Sequence, residues 1–326
     1  MKTVLKRSLA ILALASTMAA AIPAHATDFR LGTIVPAGHL WSQGAEAMGK
    51  EIAERSGGEH SVTVYPAGQL GDESQMVQQL QSGALDMAFL TIADVSNRVP
   101  EFSALYAPFL VDSAAEGASL LRSEPAQELL DLLPQQMGVV GVGYGIAAMR
   151  LIMVTQPVED VEDLAGKKMR ITPFKPLRDF YNLLGIAPTP MPLPDVYDAL
   201  ANGQVDAIDI DPELILNFKF YERAPHLLVT NHTMFPMVGL ISGRVWAGLS
   251  DEDKELLRTA MEEALDEILN KYGSAEDGWM EQIRATGIDV KNFGADKFSG
   301  IVEQWEETWV EQKPLIDRLR EEAAAL

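Results

Sequence analysis

"KMRITPFKPLRDFYNLLGIAPTPMPLPDVYDALANGQVDAIDI" (168–210) carries the alternation that decides the fold class. In "KMRIT" (168–172), Met169 and Ile171 alternate with Lys168, Arg170 and Thr172, the period of a strand with one apolar face. Pro173 stops that strand and Pro176 breaks the chain again. A helix "LRDFYNLLG" (177–185), a short strand "APTPM" (187–191), a helix "LPDVYDALANG" (193–203) and a strand "VDAIDI" (205–210) follow. This β-α-β-α-β order is the rhythm of an α/β sheet. Arg170 beside a strand end is either a solvated charge or a fixed claw for an anion.

The same rhythm occurs earlier. Strands are expected at "DFRLGTIV" (28–35), "SVTVYP" (61–66) and "LDMAFL" (85–90), with helices from Trp41 to Arg55 and at "DESQMVQQLQSG" (72–83). Asp72 caps the second helix and Gly83 ends it. Two similar units imply two related lobes. The continuous apolar runs "MGVVGVGYG" (137–145), "MRLIMV" (149–154) and "MVGLISGRVW" (237–246) suit long connecting strands. From Ser250 the pattern becomes a long helix, N-capped by that serine and acidic in its first turn. Residues 276–322 read as more helix, with Trp305 and Trp309 on one face.

At the N-terminus, Lys2, Lys6 and Arg7 precede an apolar core from Leu9 to Ile22 and the small-x-small signal Ala24-His25-Ala26. This is the pattern of an export leader cut after Ala26, so an exported product is expected. No other segment is long and apolar enough to span a bilayer. The chain has no cysteine, so a hydrophobic core must supply its stability. Its net charge of −21 becomes more negative once the basic leader is removed, which argues against nucleic acid and anionic lipid as partners. An anionic ligand needs a local basic pocket working against that field.

"GYGIAA" (143–148) fits G-x-G-x-x-A, with Asp163 at the spacing of a dinucleotide site. A strand rather than a helix follows it, so the glycines are read as letting connecting strands pass closely. His39, His60, His226 and His232 lack zinc-ligand spacing, and His60 and His226 fall in expected surface turns. Neither a metal site nor a cofactor is expected from them. Asp209, Asp211 and Glu213 in "DAIDIDPE" (206–213) lie at the carboxyl end of a strand, where α/β sheets hold ligands. Three carboxylates could bind a divalent cation, perform acid–base chemistry, accept hydrogen bonds from hydroxyls or pair with arginines. Arg150, inside "AAMRLIMV", needs a carboxylate or a ligand if it is buried.

Beyond these local readings, "GTIVPAGHLWSQG" (32–44), "VYPAGQLGDESQMVQQLQSGALDMAF" (64–89), "APFL" (107–110), "VEDLAGKKMRI" (161–171), "LGIAPTPMPLPDVYDALANGQVDAID" (184–209), "FYE" (220–222) and "LSDEDKELL" (249–257) resemble one family throughout. It is the substrate-binding proteins of tripartite ATP-independent periplasmic (TRAP) transporters, of the DctP type. The resemblance implies a periplasmic binding protein fold, type II-like, of two α/β lobes with an interlobe cleft. Long strands and a long spanning helix join them. Lobe one is expected at 27–147 plus 236–275, and lobe two at 148–235 plus 276–326.

By the same resemblance, Arg170 is the hallmark arginine that binds the solute's carboxylate, and Arg150 matches a second arginine of the sialic-acid-binding members. Asp209, Asp211 and Leu193 from lobe two, with His39, Trp41 and Thr91 from lobe one, are the further candidate contacts. The partners implied are a small organic acid and the transporter's membrane subunits. The chain departs from the sialic-acid pattern in two places. Ile208 to Asp211 replace "QENP", so Ile210 stands where an asparagine is expected, and a carboxylate expected from lobe one falls near Thr91. A sugar acid, a hydroxy or keto acid, a dicarboxylate and a zwitterion all remain compatible, with the extra acids favouring a polyhydroxylated or partly cationic one. The competing reading is an exported metal-dependent hydrolase using Asp209, Asp211 and Glu213.

Overall fold

A computed structural model describes residues 27–326; the expected export leader lies outside the described residues. Two sheets organise the chain. The first contains β1 (Thr27–Thr33), β2 (His60–Tyr65), β3 (Met87–Thr91), β4 (Val139–Met149) and β10 (Met234–Ser242), in the order β2-β1-β3-β10-β4. β1 pairs in parallel with β2 and β3, while β10 runs antiparallel to β3 and β4. The second contains β5 (Leu151–Val154), β6 (Lys168–Ile171), β7 (Ala187–Pro190), β8 (Ala207–Ile210), β9 (His226–Val229) and β11 (Asp289–Asn292), in the order β11-β9-β5-β8-β6-β7. The chain crosses from the first sheet to the second at Arg150, between β4 and β5. Just before the crossing, Ala148 has φ 58°, a left-handed conformation that costs a residue with a Cβ about 1–2 kcal/mol.

Helix α1 (Leu40–Arg55) follows β1, and α2 (Glu73–Ser82) follows β2. Asp72 and Gln75 form a reciprocal capping box on α2, and Gly83 ends it at φ 78°. The helix beginning after Ser250 runs much further than its sequence pattern suggests, from Asp251 to Ala285. Gly273 is a helix interior residue. A Cβ there would lie 3.4 Å from the Ala115 backbone, an ordinary contact distance, so the neighbouring helix would tolerate a side chain of one carbon. The glycines of β4 and β10 serve closer packing. A Cβ on Gly239 would lie 2.7 Å from Leu265, and one on Gly145 would lie 2.7 Å from Met237 and 3.2 Å from Ile268. They therefore seat the long helix on the sheet as well as bringing strands together.

Several local expectations are corrected. Pro176 does not break the chain but lies in the first turn of the helix Lys175–Leu183, where its missing N–H removes no bond. Gly243–Gly248 is helical rather than the end of a strand, and the Ser242 hydroxyl accepts from Val245 N–H. His60 opens β2, is buried, and pairs with Asp253 at 2.8 Å; His226 opens β9. The C-terminal region includes β11 as well as helices. Trp305, on the helix Ile301–Thr308, stacks at 5.5 Å with Trp309 at that helix's C-cap, and the helix packs on Lys175–Leu183 beside the second sheet. The last helix, Lys313–Ala323, instead lies against Pro100–Tyr106 on the first-sheet side, a crossing back that a linear division at residue 276 does not provide for. Among the described residues no helix is long and apolar enough to cross a membrane.

Candidate functional site

Strand pairing brings the charged residues of the second sheet to one place. Arg170 of β6 is the neighbour of Ile208 in β8, and the start of the antiparallel β5 lies beside the end of β8, with Leu151 opposite Ile210. Arg150, just before β5, therefore meets Asp209 and Asp211. This is the carboxyl end of the parallel strands β6 and β8, the position at which open α/β sheets hold ligands.

The two arginines differ in how they are balanced. Arg150 is 1% exposed, and its Nε donates to Asp209 Oδ1 at 2.6 Å. Its Nη1 donates to Asp211 Oδ2 at 3.2 Å and its Nη2 to the Asp209 carbonyl at 2.6 Å. The guanidinium also lies 4.2 Å from the centre of the Phe235 ring. Arg170 is 2% exposed; its Nε donates to the Met191 carbonyl at 3.1 Å and its Nη1 to the Asp209 carbonyl at 3.3 Å. Among the described residues no carboxylate forms an ion pair with it. Burial first, and then the charge of Arg150, lower its pKa to about 9, so at neutral pH it is still a cation.

Asp209 is fully buried beneath this pair. Burial alone would raise its pKa, but Arg150, His232 and Tyr181 together hold it well below the usual carboxylate range. The Tyr181 hydroxyl donates to Oδ2 at 2.8 Å, and His232 Nε2 lies 3.0 Å from the same oxygen. Thr230 Oγ1 contacts His232 Nδ1 at 2.8 Å, fixing the ring from its other side. Asp211 does two things: it pairs with Arg150 and, as N-cap of Pro212–Asn217, accepts from Leu214 N–H at 3.0 Å. Burial raises Asp211 to about 6, against the pull of Arg150.

Glu213 leaves this cluster. Its Oε1 accepts from Leu40 N–H at 2.8 Å, at the first residue of α1, and the Tyr272 hydroxyl of the long helix donates to Oε2. His39 Nε2 lies 3.2 Å from the same Oε2. Burial pushes Glu213 up to about 8 and His39 down to about 3, so both are neutral at pH 7. Asp209 and Asp211 thus share Arg150 while Glu213 serves other partners, and among the described residues no group of side chains could hold a metal ion. The hydrolase expectation loses its metal centre here.

The first-sheet wall meets this end of the second sheet. His39 caps α1 by accepting from Trp41 N–H at 3.2 Å, and Trp41 Nε1 donates to the Ile146 carbonyl at 2.8 Å, which fixes the indole. Thr91 ends β3. Its N–H and Oγ1 donate to the two carboxyl oxygens of Glu73, at 2.6 and 2.9 Å. Burial raises Glu73 to about 8. Glu73 was not among the expected residues, yet it brings a carboxyl group to the place near Thr91 where one was missing.

Between the walls lies a cavity of about 780 Å³ counting its open mouth, within the range of small-molecule sites. Arg150, Arg170, Asp211, Leu193, His39, Trp41 and Thr91 line it; Asp209 does not, lying behind the arginines. Glu73, Asp94 and Phe235 are lining residues that sequence reading missed. At the rim, Asn97 Nδ2 donates to the Pro173 carbonyl at 3.0 Å, joining the two sides.

Residues 31–313 match the family described as bacterial extracellular solute-binding protein, family 7, DctP. The sialic acid-binding periplasmic protein SiaP of Vibrio cholerae is 28% identical, over 89% of each chain. Two solved structures superpose closely. A TRAP periplasmic solute-binding protein of Bradyrhizobium, in complex with D-galacturonate, is 29% identical with a TM-score of 0.85, covering 90% of this chain and 100% of that one. Another, from Bordetella bronchispeptica with pantoate fitted to its density, is 27% identical with a TM-score of 0.85, covering 90% and 98%. The chain belongs to family 7 of the bacterial extracellular solute-binding proteins, the DctP-type receptors of TRAP transporters, which are substrate-binding transport proteins and not enzymes.

Proposed function

We propose that this protein is a periplasmic receptor that captures a hydroxylated carboxylic acid, a sugar acid foremost, through a salt bridge from Arg170. It then delivers that acid to its transporter's membrane subunits. One observation carries the reading. Of the two arginines lining the cavity, Arg150 is balanced by two aspartates, whereas Arg170 has only carbonyl partners. A buried cation without a counter-charge is costly, and a ligand carboxylate relieves that cost. The planar fork, held by two carbonyls, is pre-organised for such a partner. Each charge-assisted bond contributes about 1.5–3 kcal/mol net, so micromolar affinity, about 8 kcal/mol, needs few further contacts.

Arg150 acts mainly through its neighbours, with Asp209 fixing both guanidinium groups from behind. Leu193 and Trp41 offer apolar surface to a carbon skeleton, and Thr91, His39 and Asp211 offer polar edges. Both walls must touch the ligand, because a ligand favours the closed form only by binding it better than the open one. The galacturonate and pantoate of the two related structures each carry one carboxylate and at least two hydroxyls, and this is the chemistry we assign to the ligand. The expected leader at residues 1–26 and the periplasmic relatives support export. A thermal-shift screen of the mature protein tests the reading. Sugar acids are expected to raise the melting temperature while the corresponding neutral sugars do not. Equal shifts with the neutral sugars would contradict it.

A further inference from the structure

The cavity's charge is arranged for one anionic group. Among the described lining residues Arg150 and Arg170 are the cations, and Arg150 is already balanced by Asp209 and Asp211. His39, with its pKa lowered by burial, adds no positive charge at neutral pH. The first-sheet wall supplies carboxyl groups: Asp94 pairs with Arg98, and Glu73 lines the cavity within reach of the charge of Arg170. Glu73 is held in a fixed orientation, since both its oxygens accept from Thr91.

We propose that Glu73 makes the cleft selective for a ligand bearing a single carboxylate, by refusing a second carboxylate and accepting a hydroxyl in its place. The inference rests on Arg170 being the carboxylate anchor. Once Arg170 is engaged, a second ligand carboxylate on the first-sheet wall would be buried beside a carboxyl group with no cation to meet it. An ionised Glu73 offers only acceptors and repels that group. A protonated one offers a single donor and no positive charge, so the buried anion is still uncompensated. A ligand hydroxyl suits either state, donating to the ionised form or accepting from the protonated one.

The test compares D-galacturonate with galactarate, the dicarboxylate of the same carbon skeleton, by calorimetric titration at pH 8.5. The wild-type protein is expected to favour galacturonate by about a hundredfold or more, the scale of a buried like-charge contact. In Glu73→Gln, which keeps an acceptor for Thr91 and cannot ionise, that ratio is expected to shrink by about tenfold or more, whatever happens to each affinity separately. A merely structural role would weaken both acids equally and leave the ratio where it was. Wild-type affinities within about threefold of each other would overturn the proposal without recourse to any variant, as would an unchanged ratio in a folded Glu73→Gln. Failure of wild type to bind either acid would overturn the sugar-acid reading itself, and this inference with it.

Discussion

The two walls of the cleft treat charge in opposite ways. On the second-sheet wall, Arg150, Asp209, Asp211, Tyr181 and His232 are ionic or hydrogen-bonded partners of one another, fully buried, and Arg170 alone is left with carbonyls. On the first-sheet wall, Glu73 and His39 are pushed by burial toward their neutral forms, as is Glu213, which reaches across to that wall from the helix after β8 and is held by hydroxyl and backbone donors. One wall concentrates charge and leaves a single cation available; the other suppresses charge and leaves polar edges. A ligand with an anionic head and a hydroxylated body matches that division, and its contacts to both walls favour closure.

If the second-sheet wall is a mutually supporting network, removing its centre should have the largest effect. Asp209→Ala leaves Arg150 with only Asp211 as counter-charge and takes the acceptor from Tyr181 and His232. Stability is expected to fall by about 3–5 kcal/mol, measured by urea unfolding. A loss below about 1 kcal/mol would mean that the wall is not organised around Asp209.

The first-sheet wall should reveal itself by a smaller effect with a distinctive sign. Glu73 and Glu213 each rise from 4.5 to about 8 on folding, so the folded protein binds their protons more tightly than the unfolded chain. Their stabilising contribution is fully present below 4.5 and is lost as pH rises through about 8. His39 has the opposite sign, but only below its ordinary value of 6.5. Asp209, depressed on folding, acts below 3.8. The melting temperature of the unliganded protein is therefore expected to decline between pH 6.5 and 8, with Glu213→Gln flattening the decline. A flat wild-type profile would remove the contrast between the walls.

Much of this arrangement was legible in the sequence, for identifiable reasons. Period-2 alternation marks β6, and Asp72, Gly83 and Ser250 mark helix ends, because these signals act within a few residues. Arg150 stood out because a charge inside an apolar run requires a partner, and Arg170 because it stands beside the end of a strand with one apolar face. Glu73 did not, since an acid in a helix's first turn already has a sufficient explanation in the helix dipole. Tyr181 and His232 were hidden for another reason. Their partner Asp209 lies on a different element, and only strand order brings them together. The capping role of Asp211 could have been found as well, because an aspartate directly before Pro-Glu is a helix-capping signal. The length of the helix Asp251–Ala285 was obscured by Gly273, a residue of low helix propensity that the surrounding packing carries through the helix interior.

The central claim is that Arg170 holds the ligand's carboxylate with its fork. Arg170→Lys keeps the charge and loses the planar pair of donors. Titration calorimetry with D-galacturonate, on wild type and Arg170→Lys, tests this most directly. An affinity lower by about tenfold or more, the loss of one charge-assisted bond, is the predicted result. An affinity unchanged from wild type would contradict it.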